Sequence, residues 1–148
     1  MEFYDAANPD NIPAGSYACL YADGLYKASA EQAARMKATR WITVLGGSDA
    51  AAYAGCADFE AGNPVYEGDA LRDWVQGRQA KGMRARVYTD LANLPLVRMR
   101  CAELKYEVWL ATLDGRKLNA NYTSGLWAVQ FSGGVSAPYD ISCLYGEW

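Results

Sequence analysis

The sequence predicts an α/β fold, a reduced (β/α)8 TIM-like barrel with about eight strands and few helices. Three observations lead there. Short runs rich in β-branched and aromatic residues recur along the chain, bounded by Gly, Pro, Asn and Asp. Helical periodicity and capping signals are confined to a few stretches between those runs. Of 148 residues, 51% are hydrophobic, which is enough core for a single domain spanning 1–148. A full barrel of this kind needs about 250 residues, so several crossovers are expected to be bare loops. An open α/β sheet is the competing arrangement.

The elements follow in order. Strands are expected at Glu2 to Asp5, Ser16 to Tyr21, Trp41 to Leu45 (closed by Gly46-Gly47) and Gly55 to Phe59. Four more are expected at Arg84 to Tyr88, Glu107 to Ala111, Leu126 to Phe131 and Tyr139 to Ser142. Ser29-Ala30-Glu31-Gln32 is a capping box that opens a helix to about Ala38. Asp69 to Lys81 is the longest predicted helix, with Leu71, Trp74 and Val75 on one face and Gly82 as its stop. Pro95 at the first helical position starts a third, to about Leu104, with Val97, Cys101 and Leu104 at helical spacing.

Bulk chemistry narrows the function. The net charge is −3 and the 14 basic residues are scattered, so no nucleic-acid footprint is present. The densest group, Arg84, Arg86, Arg98 and Arg100, alternates with apolar residues and is expected on solvated faces. No apolar run approaches the ~20 residues of a membrane span. Met1-Glu2-Phe3-Tyr4-Asp5 enters a strand without a basic or apolar leader, so no secretory signal is expected and synthesis in the cytoplasm is. The chain has no histidine, which removes Ser-His and Cys-His mechanisms and leaves acid–base work to carboxylates, Tyr or Lys. Cys19, Cys56, Cys101 and Cys143 form no CxxC pair and are expected as small, buried, reduced residues, with a disulfide left open. No metal or organic cofactor is expected.

The most informative segment is Gly55-Cys56-Ala57-Asp58-Phe59-Glu60. Side chains two apart on a strand share a face, so Asp58 and Glu60 point the same way, roughly 6.6 Å apart along the backbone. Phe59 points oppositely, toward a covering layer. Asp5, Asp23, Asp90, Asp114 and Asp140 also fall at or after predicted strand ends, the face where barrels of this class carry their sites. Turn preference accounts for Asp114 and Asp90. It accounts less well for Asp58 and Glu60, because two carboxylates on one strand face oppose burial unless they are used. Tyr88, Trp109 and other strand aromatics could offer stacking surfaces for sugars.

Taken together, Tyr4-Asp5, Asp58-Phe59-Glu60, Val87-Tyr88-Thr89, Trp109-Leu110-Ala111, Gln130-Phe131 and Asp140-Ile141-Ser142 resemble, in order, the strand motifs of the family-25 glycoside hydrolases, the muramidases that cut peptidoglycan. Asn8-Pro9-Asp10-Asn11-Ile12-Pro13 and Tyr21-Ala22-Asp23-Gly24 are similar to a short branch found in actinobacteria and their phages. The resemblance implies Glu60 as general acid and Asp58 as a charged helper that stabilises the transition state or orients an N-acetyl group. It implies Asp5, Asp140, Tyr88, Gln130, Asp23 and Trp109 as substrate-binding residues, peptidoglycan or a related glycan as partner, and a phage-encoded, released or virion-associated protein as one setting. The chain departs from the family in its length and in Ala6-Ala7, where the family continues with Ser. Two other readings stand beside it: an inactive glycan-binding or phage structural module on the same fold, and an unrelated α/β domain whose Asp58 and Glu60 are surface charges.

Overall fold

A computed structural model describes residues 1–118, 125–134 and 136–148. The strands are β1 (Glu2–Asp5), β2 (Tyr17–Tyr21), β3 (Ala38–Thr43), β4 (Cys56–Asp58), β5 (Arg86–Asp90), β6 (Glu107–Ala111), β7 (Leu126–Ser132) and β8 (Asp140–Leu144). They close into one eight-stranded barrel in sequence order. Neighbours from β1 to β7 are parallel, while β8 runs antiparallel to both β7 and β1. The sheet is therefore mixed, and closure leaves no unpaired edge. Among the described residues, α-helices follow only β2, β4 and β5: α1 (Ala30–Ala34), α2 (Ala70–Ala80) and α3 (Leu94–Arg100). Short 3-10 turns at Pro9–Asn11 and Ala50–Ala52 follow β1 and β3, and a third at Pro64–Tyr66 precedes α2.

Local chemistry explains most of these bounds. The Ser29 hydroxyl accepts from the Gln32 N–H while the Gln32 amide oxygen accepts from the Ser29 N–H, the reciprocal pair read from the sequence. The helix stops well before the expected Ala38 because Lys37 N–H already donates to Ser16 and Ala38 pairs with Tyr17. β-Pairing takes those residues, so β3 also begins three residues earlier than expected and releases Val44 and Leu45 to the loop. α2 ends as expected, at Gly82 with φ +67°, a backbone state that favours glycine. α3 is one turn shorter than expected, because its chain reverses through Glu103 at φ +68°.

Strand alternation sorts the side chains into an inner and an outer core. Outside β4 and β5, α2 and α3 cover Ala57, Phe59, Val65, Leu71, Trp74, Val75, Val87 and Val97. Phe59 is fully buried in that layer and stacks near Tyr66 at 4.6 Å between ring centroids, the covering role its position predicted. Inside, aromatic rings fill the barrel. Phe3 lies 5.1 Å from Trp109, 5.2 Å from Trp127 and 5.3 Å from Trp148. Trp109 is also 4.8 Å from Tyr88, and its indole N–H donates to Ser142 Oγ at 2.9 Å, so its one polar atom is satisfied.

The far end of the barrel holds a surprise for the sequence. Arg86, expected on a solvated face, is 7% exposed. Its guanidinium sits 4.5 Å over the Trp127 ring and 3.2 Å from the Glu107 carboxylate. Inward parity on β5 puts it there, and stacking with an ion pair compensates its burial. Arg100 likewise packs over Phe59, at 5.4 Å. All four cysteines are free thiols; three are buried and Cys143 is half-buried. No described helix is long and apolar enough to cross a membrane.

Phe3 is the hub of the inner packing, so Phe3→Ala should leave a cavity that the surrounding rings cannot close. The expected loss is about 3–5 kcal/mol in urea unfolding. A loss below about 1 kcal/mol would mean that the aromatic fill is not what holds the barrel together.

Candidate functional site

The ends of β1, β2, β4, β5, β7 and β8 meet around one cleft of about 510 Å³, lined by Asp5, Tyr21, Glu60, Tyr88, Gln130 and Asp140 among others. This is the carboxyl end of the parallel strands, the end expected to carry the site. Two other hollows lie elsewhere: a smaller one of about 400 Å³ between α2 and the Leu45–Ala52 segment, and a larger one of about 830 Å³ at the opposite barrel end around Tyr106 and Glu147. The second of these also holds three carboxylates, Glu103, Glu107 and Glu147, but with Arg84 and Lys105 beside them and one tyrosine, whereas the cleft has four tyrosines and no cation among its described lining residues.

Each acidic group is placed by its strand. Cys56 packs with the inner aromatics, so Asp58, two residues on, also faces inward. It is 3% exposed and lies beneath the lining. Its Oδ2 accepts from the Tyr21 hydroxyl at 3.1 Å. Glu60 follows beyond the strand, at the cleft wall and only partly buried. Asp5 on β1 stands directly opposite Asp140 on β8 in the antiparallel register. Like charges in such a pair are destabilising, so sheet stability alone does not select them.

Asp140 is held by a glycine pair. Gly134 N–H donates to its Oδ1 at 2.7 Å. A Cβ at Gly133, whose φ is +134°, would fall 1.8 Å from the same oxygen, so no larger residue fits there without moving the carboxylate.

Burial raises all four carboxyls, and repulsion from neighbouring carboxylates adds to the rise at Asp5, Asp58 and Glu60. Burial raises Asp5 well above the usual carboxylate range, and Asp140, Asp58 and Glu60 add to the rise. Burial, then Glu60, pushes Asp58 up to about 7, against the lowering effect of the Tyr21 hydroxyl. Burial, then Asp90 and Asp140, raises Glu60. Burial raises Asp140, partly offset by the Gly134 N–H and the Gln130 amide. Tyr21 and Tyr88 are raised too, first by burial, so both hydroxyls remain donors. Asp58 was expected from sequence to be charged; a pKa near 7 instead leaves its two forms balanced at neutral pH. Three buried acceptors, Asp5 Oδ1, Asp58 Oδ1 and Gln130 Oε1, have no hydrogen-bond partner among the described residues.

Of the residues singled out by sequence, Asp5, Glu60, Tyr88, Gln130 and Asp140 line this cleft together, with Asp58 directly below. Asp23 and Trp109 do not. Asp23 is 5% exposed and ties down the β3 exit, accepting from Thr43 Oγ1 and Ser48 Oγ at 2.6 Å each and from Val44 N–H at 2.8 Å. With a fourth bond accepted from Leu45 N–H at 3.4 Å, its hydrogen bonding explains its burial without a ligand. Trp109 is wholly inside the barrel and not part of the cleft lining, packed among Phe3, Tyr88 and Trp127. Asp90, the last residue of β5, and Asp114 stabilise the turns that follow them, in line with turn preference: Asp90 accepts from Asn93 N–H and Asp114 from Arg116 N–H. The sequence motifs include Tyr21 only within Tyr21-Ala22-Asp23-Gly24, without a site role, and Gly133-Gly134 not at all. Tyr21 shares inward parity with Cys19, and the glycine pair directly follows β7; both signals were present but nonspecific.

No protein-family model matches the chain, and no curated protein or solved structure matches it either.

A buried acid whose folded pKa lies above its unfolded value favours folding while protonated and opposes it once ionised. For Asp58, stability is therefore full below about pH 4 and lost as the pH rises to about 7, by roughly 4 kcal/mol. Urea unfolding at pH 5 and pH 8 should show the wild type weaker at pH 8, and Asp58→Asn should reduce that difference. A wild type as stable at pH 8 as at pH 5 contradicts this electrostatic picture.

Proposed function

We propose that the protein is a glycoside hydrolase of muramidase type, cleaving the glycan of peptidoglycan by carboxylate acid catalysis. One observation carries this reading: several carboxylates converge, without a countercharge among the described lining residues, in a cleft walled by tyrosines. Such a cluster is costly for folding, and glycosidic cleavage is the chemistry that uses paired carboxyls with raised pKa values. The ordered motif resemblance supports the same class, and on this reading the mixed barrel is a (β/α)8 barrel that has lost most of its helices.

Glu60 suits the general acid. It reaches the cleft surface, and its pKa is raised by burial and by Asp90 and Asp140, which keeps it protonated further toward neutral pH. Protonating the glycosidic oxygen lets the leaving sugar depart while positive charge builds on the ring; water then adds to the anomeric carbon and passes its proton to the Glu60 carboxylate, which restores the acid. Asp58, below the cleft floor, is raised more strongly than Glu60 in the empty cleft; on this reading the cationic sugar favours its ionised form, which then stabilises that charge. Tyr88 stays protonated and donates to sugar oxygens, and Tyr26 and Tyr139 at the cleft edge provide ring faces for sugar C–H groups. Asp5, Asp140 and Gln130 accept from sugar hydroxyls.

A second reading, a glycan-binding module without turnover, draws on the depth of Asp58, which is 3% exposed and leaves only Glu60 of the pair on the cleft surface.

The deciding experiment measures new reducing ends from purified peptidoglycan. The wild type should release them, and Glu60→Gln should lower the rate by at least about a hundredfold while leaving the unfolding midpoint nearly unchanged. Equal rates for the two proteins would remove Glu60 from the acid role. Binding without release by the wild type would favour the second reading.

A further inference from the structure

We propose that the cleft prefers glycans bearing a free amino group, seating the ammonium of an N-deacetylated hexosamine against Asp5. This names a substrate class for the cleft and rests on its reading as a glycan site.

The first support is what the buried acceptors lack. Asp5 is 5% exposed and Gln130 1% exposed, yet Asp5 Oδ1 and Gln130 Oε1 have no donor among the described residues, and both residues line the cleft. Asp58 Oδ1, just below, is equally without a donor. Leaving buried acceptors unpaired is costly, so the occupant of this cleft is expected to bring donors. An ammonium brings three and no acceptor. An acetamide brings a single N–H together with a carbonyl that needs a donor of its own.

The second support is charge. Asp5, Glu60 and Asp140 line the cleft over Asp58, and no Lys or Arg is among the described lining residues. Asp5 and Asp140 face each other directly across β1 and β8. An ammonium between them offsets the repulsion that, together with burial, otherwise favours protonated Asp5. A metal ion is a poorer candidate, because no three His, Cys, Asp or Glu side chains among the described residues converge as ligands. The tyrosine faces at the rim favour a sugar as the body that carries the ammonium. The raised pKa of Asp5, driven by burial and then by Asp140, Asp58 and Glu60, has the same origin: a site short of positive charge.

Calorimetric titration of the intact protein with a β-1,4-linked glucosamine tetramer and with its fully N-acetylated counterpart tests this. The amino tetramer should bind at least about tenfold tighter, as expected for charge-assisted hydrogen bonds, and Asp5→Asn should bring the two affinities close together. Equal affinities, or tighter binding of the acetylated form, would overturn the proposal with no variant needed. So would a preference that survives Asp5→Asn unchanged and vanishes with added salt, since that reports the acidic surface as a whole. Reducing-end release is scored separately. Cleavage of acetylated glycan without amino preference removes this proposal and keeps the hydrolase. Amino preference without any cleavage does the reverse.

Discussion

Everything at the cleft depends on a dry aromatic floor beneath a layer of acids. Phe3, Trp109 and Trp127 fill the barrel, and Trp148 packs against them from the opposite end. Water is excluded from that volume, so Asp58 directly above it cannot be solvated from below. Asp5 and Asp58 are consequently pushed toward their neutral forms, while Glu60, higher up, is shifted less completely into burial. The depth of each carboxyl above the floor, set by strand register, differentiates groups that are chemically alike.

Closure of the sheet is what brings those registers together. A sequential parallel run alone would leave β1 and β7 as edges. β8 enters antiparallel between them and sets Asp140 opposite Asp5. The same strand supplies Ser142, which satisfies the Trp109 indole, so one short element both seals the barrel and completes the acid layer. Because the barrel is closed and internally packed, it stands with only three α-helices among the described residues. α2 and α3 concentrate over β4 and β5, where Phe59 and Val87 need cover.

Much of this was legible in the sequence, for identifiable reasons. All eight strands were visible because short β-branched and aromatic runs alternate with turn residues, and the inward pair Asp58 and Glu60 followed from a period of two. Capping chemistry fixed the start of α1 and the end of α2. Boundaries failed where pairing overrode propensity, as at Ala38, which looked helical but pairs with Tyr17. Asp23 and Trp109 were misplaced relative to the cleft because position after or within a strand does not reveal depth along the barrel axis. Arg86 shows the same limit from the other side: an arginine in an alternating strand looks solvated until closure turns its face inward. The balance of charge on Asp58 was also invisible, since it arises from burial and from Glu60 together.

The central claim is that this acid layer grips a glycan with Glu60 at the bond to be cut. A crystal structure of the Glu60→Gln variant with a peptidoglycan-derived tetrasaccharide tests it most directly. The account predicts a sugar chain in the cleft between Asp5, Tyr88 and Asp140, with a glycosidic oxygen within about 3.2 Å of the side chain at position 60. A saccharide bound at another surface, or in the cleft with every glycosidic oxygen out of reach of that side chain, would contradict it.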